Sequence, residues 1–188
     1  MGEWDRDNRV ACLAEGEFKM EGNSDKSVNF TLDLEGGEVD DKTDKGRHTK
    51  YGISQNAYPD VDIANLTIDD AKAIYKRDYW DKCKCDELPS GVDFLVFDFG
   101  VNSGTGTAIK TLQKVLGKYV TNIVPDGFIG HMTIDAADKC GKAIIKDLLN
   151  ERRIFYSKIV TLHPDQEKFL KGWLTRVDKL ANEVKTFI

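Results

Sequence analysis

Hydrophobic positions recur at helical spacing along most of this chain. Thr67-Ile68-Asp69-Asp70 has the form of a capping box, in which a threonine and an acid three residues on satisfy each other's backbone N–H groups. Behind it Ile68, Ala71, Ile74 and Tyr75 mark one apolar face that runs out near Trp80. Val92, Leu95, Val96 and Phe99 repeat the spacing, while Phe94, Phe97 and Val101 cover the other side. A helix apolar nearly all round belongs at the centre of a core. Asp93 and Asp98 interrupt it, and each demands a partner, because burying a lone carboxylate is expensive. Asp98 reads best as a hydrogen-bonded structural carboxylate, with support of a catalytic group as the sharper alternative.

Further along, Asn102-Ser103-Gly104-Thr105-Gly106-Thr107 predicts a cap for a helix with Ile109, Leu112 and Leu116 inward and Gly117 as its stop. The glycines lack a following Gly-Lys-Ser/Thr, so this is no phosphate loop, and no nucleic acid is expected among the partners. After a Pro125-Asp126-Gly127 turn and Ile129-Gly130, three helical runs follow. Ile145, Leu148, Leu149, Arg152, Phe155, Tyr156 and Ile159 form one stripe; Phe169, Leu170, Trp173, Leu174, Val177, Leu180 and Val184 form another. Stripes of this kind are core faces, with Trp173 or Tyr156 as a sugar-stacking platform the alternative. Residues up to about 27 are polar and aperiodic, and read as an arm or cap. A short helix from Asn29 to Leu34 is expected to deliver Glu35 at its C-terminal end, with Gly36-Gly37 ending it. The Asp-, Lys- and Gly-rich stretch from Val39 to Ile53 suggests a turn or small β-hairpin.

Composition adds bounds. The 188 residues, 40% hydrophobic and 31% charged, suffice for one sizeable core without disulfides or metals. Cys12, Cys83, Cys85 and Cys140 are scattered, and Cys83-x-Cys85 has too short a gap for a zinc knuckle, so they read as reduced thiols. His48, His131 and His163 show no ligand spacing, and Asp40 to Gly46 fails as a calcium loop because Lys42 takes a ligand position. No metal and no cofactor are expected. The net charge of −5 hides a basic C-terminus, where residues 139 to 188 hold 11 Lys and Arg against 6 Asp and Glu. Lys142, Lys146, Lys168 and Lys171 fit an anionic wall polymer or a solvated helix face equally well. The first residues contain no apolar run long enough for a signal peptide or a membrane span, and no stable membrane insertion is expected.

Chemistry enters at Glu35 and Asp44. Cleaving a glycosidic bond takes an acid that keeps its proton near neutral pH and an ionised partner that activates water or steadies an oxocarbenium-like transition state. Phe30, Leu32 and Leu34 precede Glu35 and can raise its pKa by burial, whereas Asp44 lies among Asp40, Asp41, Lys42, Lys45 and Arg47 and should stay charged. Alone, either residue reads first as a solvated surface charge.

The run EGGEVDDKTDKGRHTKYGIS, with Glu35-Gly36-Gly37, Asp44, Thr49 and Gly52-Ile53, resembles the opening motif of glycoside hydrolase family 108, the phage and prophage N-acetylmuramidases. RDYWDKCKCDELPSGVDFLVFDFGVNSG is similar to that family's core. VPDGFIGHMTIDAA, ERRIFYSKIV and FLKGWLTRVDKLAN resemble its small C-terminal peptidoglycan-binding region, so the likeness spans about residues 30 to 188. The resemblance implies Glu35 as general acid and Asp44 as the group that holds or activates water. His48, Thr49 and Tyr51 flank that site and are candidates to contact sugar or water, with turn packing the alternative for His48 and Tyr51; Asn102 reads either as a hydrogen-bonding partner for an N-acetyl group across the cleft or as a helix terminator. Thr49 stands one residue off the phage-lysozyme register, with Lys50 in the aligned slot, and Arg47 replaces a usual glycine.

The expectation is a lysozyme-like α+β fold, predominantly helical, with a small β-hairpin beside the cleft. Residues 1–28 would form an arm, 29–120 the catalytic region and 121–188 a helical peptidoglycan-binding region packed on it. The resemblance implies an endolysin, a monomer, that cleaves the β-1,4 bond between N-acetylmuramic acid and N-acetylglucosamine of bacterial peptidoglycan with inversion. It would be made in the host cytoplasm and reach the wall through a holin. A lytic transglycosylase, or a non-catalytic wall-binding or secretion-accessory protein, are the alternatives.

Overall fold

The computed structural model describes residues 22–35 and 49–188. Seven helices and one hairpin follow in chain order among them: α1 (Asn23–Glu35), β1 (Thr49–Lys50), β2 (Ile53–Ser54), α2 (Ile68–Tyr75), α3 (Val92–Ser103), α4 (Thr105–Leu116), α5 (His131–Cys140), α6 (Ile145–Leu162) and α7 (Glu167–Glu183). This is the α+β, mostly helical fold that the periodicity implied.

Each element forms for a local reason. The strands pair antiparallel, Thr49 with Ser54 and Lys50 with Ile53. Tyr51 and Gly52 turn the corner at φ of 53° and 75°, the left-handed pair that matches the twist of a two-residue hairpin. At α2 the predicted box is present: Thr67 Oγ1 accepts the Asp70 N–H while the Asp70 carboxylate accepts the Thr67 N–H. Beyond Tyr75 the coil widens for Lys76–Trp80, where the Asp81 N–H reaches back to the Lys76 carbonyl. That widening seats Trp80 in the core, its indole N–H donating to Asp86 at 2.8 Å.

Helix α3 is buried from Val92 through Gly100 and lies against α1, α4 and α6. One core runs from Val28 on α1 to Phe187 at the chain's end, so α6 and α7 close the same interior that α3 centres. Gly104, at φ 87°, makes the sharp join from α3 to α4.

Several expectations are corrected. Helix α1 begins at Asn23, six residues before the predicted start, because its inward face carries small polar side chains, Asn23, Ser27 and Thr31, that no hydropathy pattern marks. Ile68 is 47% exposed, since it is the first residue of α2 and faces outward at the cap. Asn102 and Ser103 do not cap α4; they complete α3, and Gly104 precedes α4 without a side-chain cap. On α7 only the later stripe residues Val177 and Leu180, with Val184 just past its end, are buried; Phe169 is 46% exposed, because this end of α7 packs chiefly on α6. Cys83, Cys85 and Cys140 are buried.

Candidate active site

Helices α1 and α3 run side by side in one direction. Asn23 donates to Asp93 at 2.7 Å, Phe30 meets Phe94 edge-on with ring centroids 5.1 Å apart, and Thr31 donates to Asp98 at 3.3 Å. Each step forward on α1 therefore meets a step forward on α3. One turn past Thr31 stands Glu35, and one turn past Asp98 stands Asn102. Position 35 and the half-buried Asn102 thus occupy the same end of the pair. The Glu35 side chain, Asp44 and His48 lie outside the described residues.

Asp98 is completely buried and charged. Arg176 grips it with two atoms, Nε at 3.0 Å from Oδ1 and Nη2 at 2.8 Å from Oδ2. Arg152 Nη1 lies 2.7 Å from Oδ1, close enough for an ion pair but not aligned as a hydrogen bond. Burial alone would push this carboxyl up; the two guanidinium groups overcome it and hold the pKa below the usual carboxylate value. The Arg152 guanidinium also lies over Phe99, its Cζ 4.7 Å from the ring centre.

At the other end of the pair, Asp93 has no cation beside it among the described residues. Its partners are neutral: the Asn23 amide and the backbone N–H groups of Gly91 and Phe94, at 2.7 and 2.6 Å. Burial wins there and raises its pKa to about 6. Ser90, which also accepts from Asn23, donates to the Phe187 carbonyl and so ties the chain's end to this point.

Asn102 is held from α6. Arg152 Nε donates to the Tyr156 hydroxyl at 2.9 Å, and that hydroxyl donates to Asn102 Oδ1 at 2.5 Å. Ser103 Oγ donates to the same oxygen at 3.0 Å. Tyr156 is 1% exposed and stacks on Trp173 at 5.2 Å, so it is no sugar platform; Trp173 is half-buried beside it. In the hairpin, Thr49 is exposed and Tyr51 is half-buried, its carbonyl accepting from the Tyr75 hydroxyl at 3.0 Å. Tyr51 is thereby fixed to α2 and Asn102 to α6.

Sequence reasoning placed Arg152 and Tyr156 on an inward stripe but missed their polar work. The signal was there: an arginine on an apolar stripe and an aspartate in an apolar helix each lack a partner until they are paired. Elsewhere, Gln113, Asp126, Phe128, His131 and Met132 border an open hollow beside the start of α5. Among the described residues no three His, Cys, Asp or Glu side chains converge as metal ligands, and no helix is long and apolar enough to cross a membrane.

A helical body with an apolar central helix and a small two-stranded antiparallel hairpin is a lysozyme-like architecture. Residues 28–104 match the model of the glycosyl hydrolase 108 family, and residues 107–178 match that of a predicted peptidoglycan domain. The solved structure of Brucella abortus SagA is similar at 32% sequence identity over 89% of this chain and 97% of that one, with a TM-score of 0.73. No curated protein matches the chain. The chain belongs to the glycosyl hydrolase 108 family, and on that membership it is a glycoside hydrolase whose polymer is peptidoglycan.

Proposed function

We propose that the protein is an N-acetylmuramidase that hydrolyses the β-1,4 bond between N-acetylmuramic acid and N-acetylglucosamine. Glu35 is its general acid and Asp44 the base that directs water, in the inverting arrangement, where two carboxyl groups stand about 6.5–9.5 Å apart with the water between them. The observation that supports this reading is the Thr31–Asp98 hydrogen bond between α1, which ends at Glu35, and α3, which carries Asn102 one turn past Asp98. His48, Thr49 and Tyr51 would contact sugar or water from the hairpin side. Residues 29–120 carry the chemistry and 121–188 hold the wall polymer. Endolysin action after holin-type release from the host cytoplasm, by a monomer, completes the proposal.

The test is clearing of purified peptidoglycan sacculi by the wild type and by Glu35→Gln. Removing a general acid lowers the rate by about 10²–10⁴-fold. Equal clearing by both proteins would refute Glu35 as the acid. Products ending in a 1,6-anhydro sugar would replace hydrolysis by the transglycosylase reaction, which needs no Asp44.

A further inference from the structure

The hydrogen bonds around Tyr156 have a fixed direction. An arginine Nε–H can only donate, so the Tyr156 hydroxyl must accept from Arg152 and has one proton left to give. That proton points at Asn102, whose receiving atom must therefore be the carbonyl oxygen. Ser103 donates to the same oxygen, which fills its capacity. The Asn102 amide is thus locked in one of its two flips, and its NH₂ makes no hydrogen bond among the described residues. Upstream, Asp98 fixes Arg152, and Asp98 is itself held by Arg176 on α7 and by Thr31 on α1.

We infer that Tyr156 and Arg152 are positioning residues that orient the Asn102 amide NH₂ outward, as a donor that selects a carbonyl on the substrate, namely the acetamido carbonyl of an N-acetylated sugar. The inference rests on the muramidase proposal for the identity of the sugar. It adds that acetyl recognition is set from the C-terminal helices: a buried chain runs Asp98, Arg152, Tyr156, Asn102 and ends in a donor one helical turn from where α1 and α3 are joined. A water-filled alternative is disfavoured by the wall beside it, where Phe99, Phe155 and Trp173 pack around Tyr156. An amide flipped to turn its NH₂ toward Tyr156 would leave the Tyr156 proton without an acceptor, and a buried orphan donor is costly.

The experiment measures binding, so that it does not depend on catalysis. A soluble four-sugar fragment of alternating N-acetylglucosamine and N-acetylmuramic acid, and the same fragment de-N-acetylated, are titrated into the Glu35→Gln protein by calorimetry. The acetylated fragment is expected to bind at least about tenfold more tightly. Asn102→Asp keeps an oxygen for Tyr156 and Ser103 but presents a second oxygen outward, and should bring that ratio close to one. Tyr156→Phe keeps the stack on Trp173 but frees the amide to flip, and should lower the ratio by about threefold or more. No preference in the parent, or a ratio unchanged in either variant, overturns the inference. If instead Glu35→Gln clears sacculi as the wild type does, the catalytic proposal fails while the binding ratios still decide this one. Asn102→Asp, at a half-exposed position, keeps the test valid should Tyr156→Phe not fold.

Discussion

Asp93 and Asp98 lie on the same helix, both buried, at opposite ends of one α1–α3 contact, and their charges behave in opposite ways. At the Asp93 end the neighbours are an amide, a serine and two backbone N–H groups, so desolvation dominates and the proton is retained up to about 6. At the Asp98 end two guanidinium groups arrive from α6 and α7, so the carboxylate stays ionised with no exposure at all. Burial therefore does not decide a carboxyl's state; its partners do. The Asp93 end joins α1 to the chain's terminus, and the Asp98 end joins it to the helices that hold Asn102. Only the second end leads to the candidate site.

The largest effect expected from this contrast is that of Asp98→Asn. It removes the carboxylate that the buried Arg152 and the partly buried Arg176 share, and should lower stability by about 3–5 kcal/mol in denaturant unfolding. A loss below about 1 kcal/mol would mean that hydrogen bonding rather than charge holds this end together.

Next comes the pH dependence of Asp93. The folded protein keeps its proton to about 6, while the unfolded chain releases it near the ordinary carboxylate value of 3.8. Between those values the folded state binds more protons, so this group's contribution to stability falls as pH rises through that window and is flat above it. The change amounts to up to about 3 kcal/mol. Asp98 has the opposite sign: its folded pKa is lowered, so its contribution is present above the ordinary carboxylate range and is lost as pH falls through the folded value. Unfolding midpoints of wild type and Asp93→Asn from pH 4 to 8 should converge or cross as pH rises. A constant difference between them would remove the distinction between the two ends.

The smallest effect serves as a control on the argument that burial magnifies charge. Arg153 pairs with Asp178 across α6 and α7 at 2.7 Å, but Asp178 is largely exposed. Arg153→Ala should change the unfolding free energy by no more than about 0.5 kcal/mol. A loss as large as that of Asp98→Asn would show that the α6–α7 contact depends on its surface charges as much as on its interior ones.

Much of this architecture could be read before folding was considered. The all-round apolar helix at Val92–Ser103 and the Thr67–Asp70 box are local patterns, and both stand in the structure as their spacing implied. So did the demand of Asp98 for a partner. The start of α1 was not legible, because Asn23, Ser27 and Thr31 are buried by what lies across from them rather than by their own hydropathy. Of the proposed site residues, Asn102 was legible only as a polar group near a helix end, and its hydrogen-bond partner Tyr156 lies far away in the chain. Glu35 was expected at the end of a helix, and its backbone is there.

By itself the sequence determined where the chain coils, which faces turn inward and which polar residues could not be left alone, since these follow from side-chain period and from the free energy of burying a charge. Only the tertiary structure decided that Arg152 and Arg176 reach Asp98 from 54 and 78 residues away and that the Tyr156 hydroxyl donates to the Asn102 carbonyl oxygen. Direction and partnership between distant side chains are properties of three-dimensional packing, and no local period encodes them.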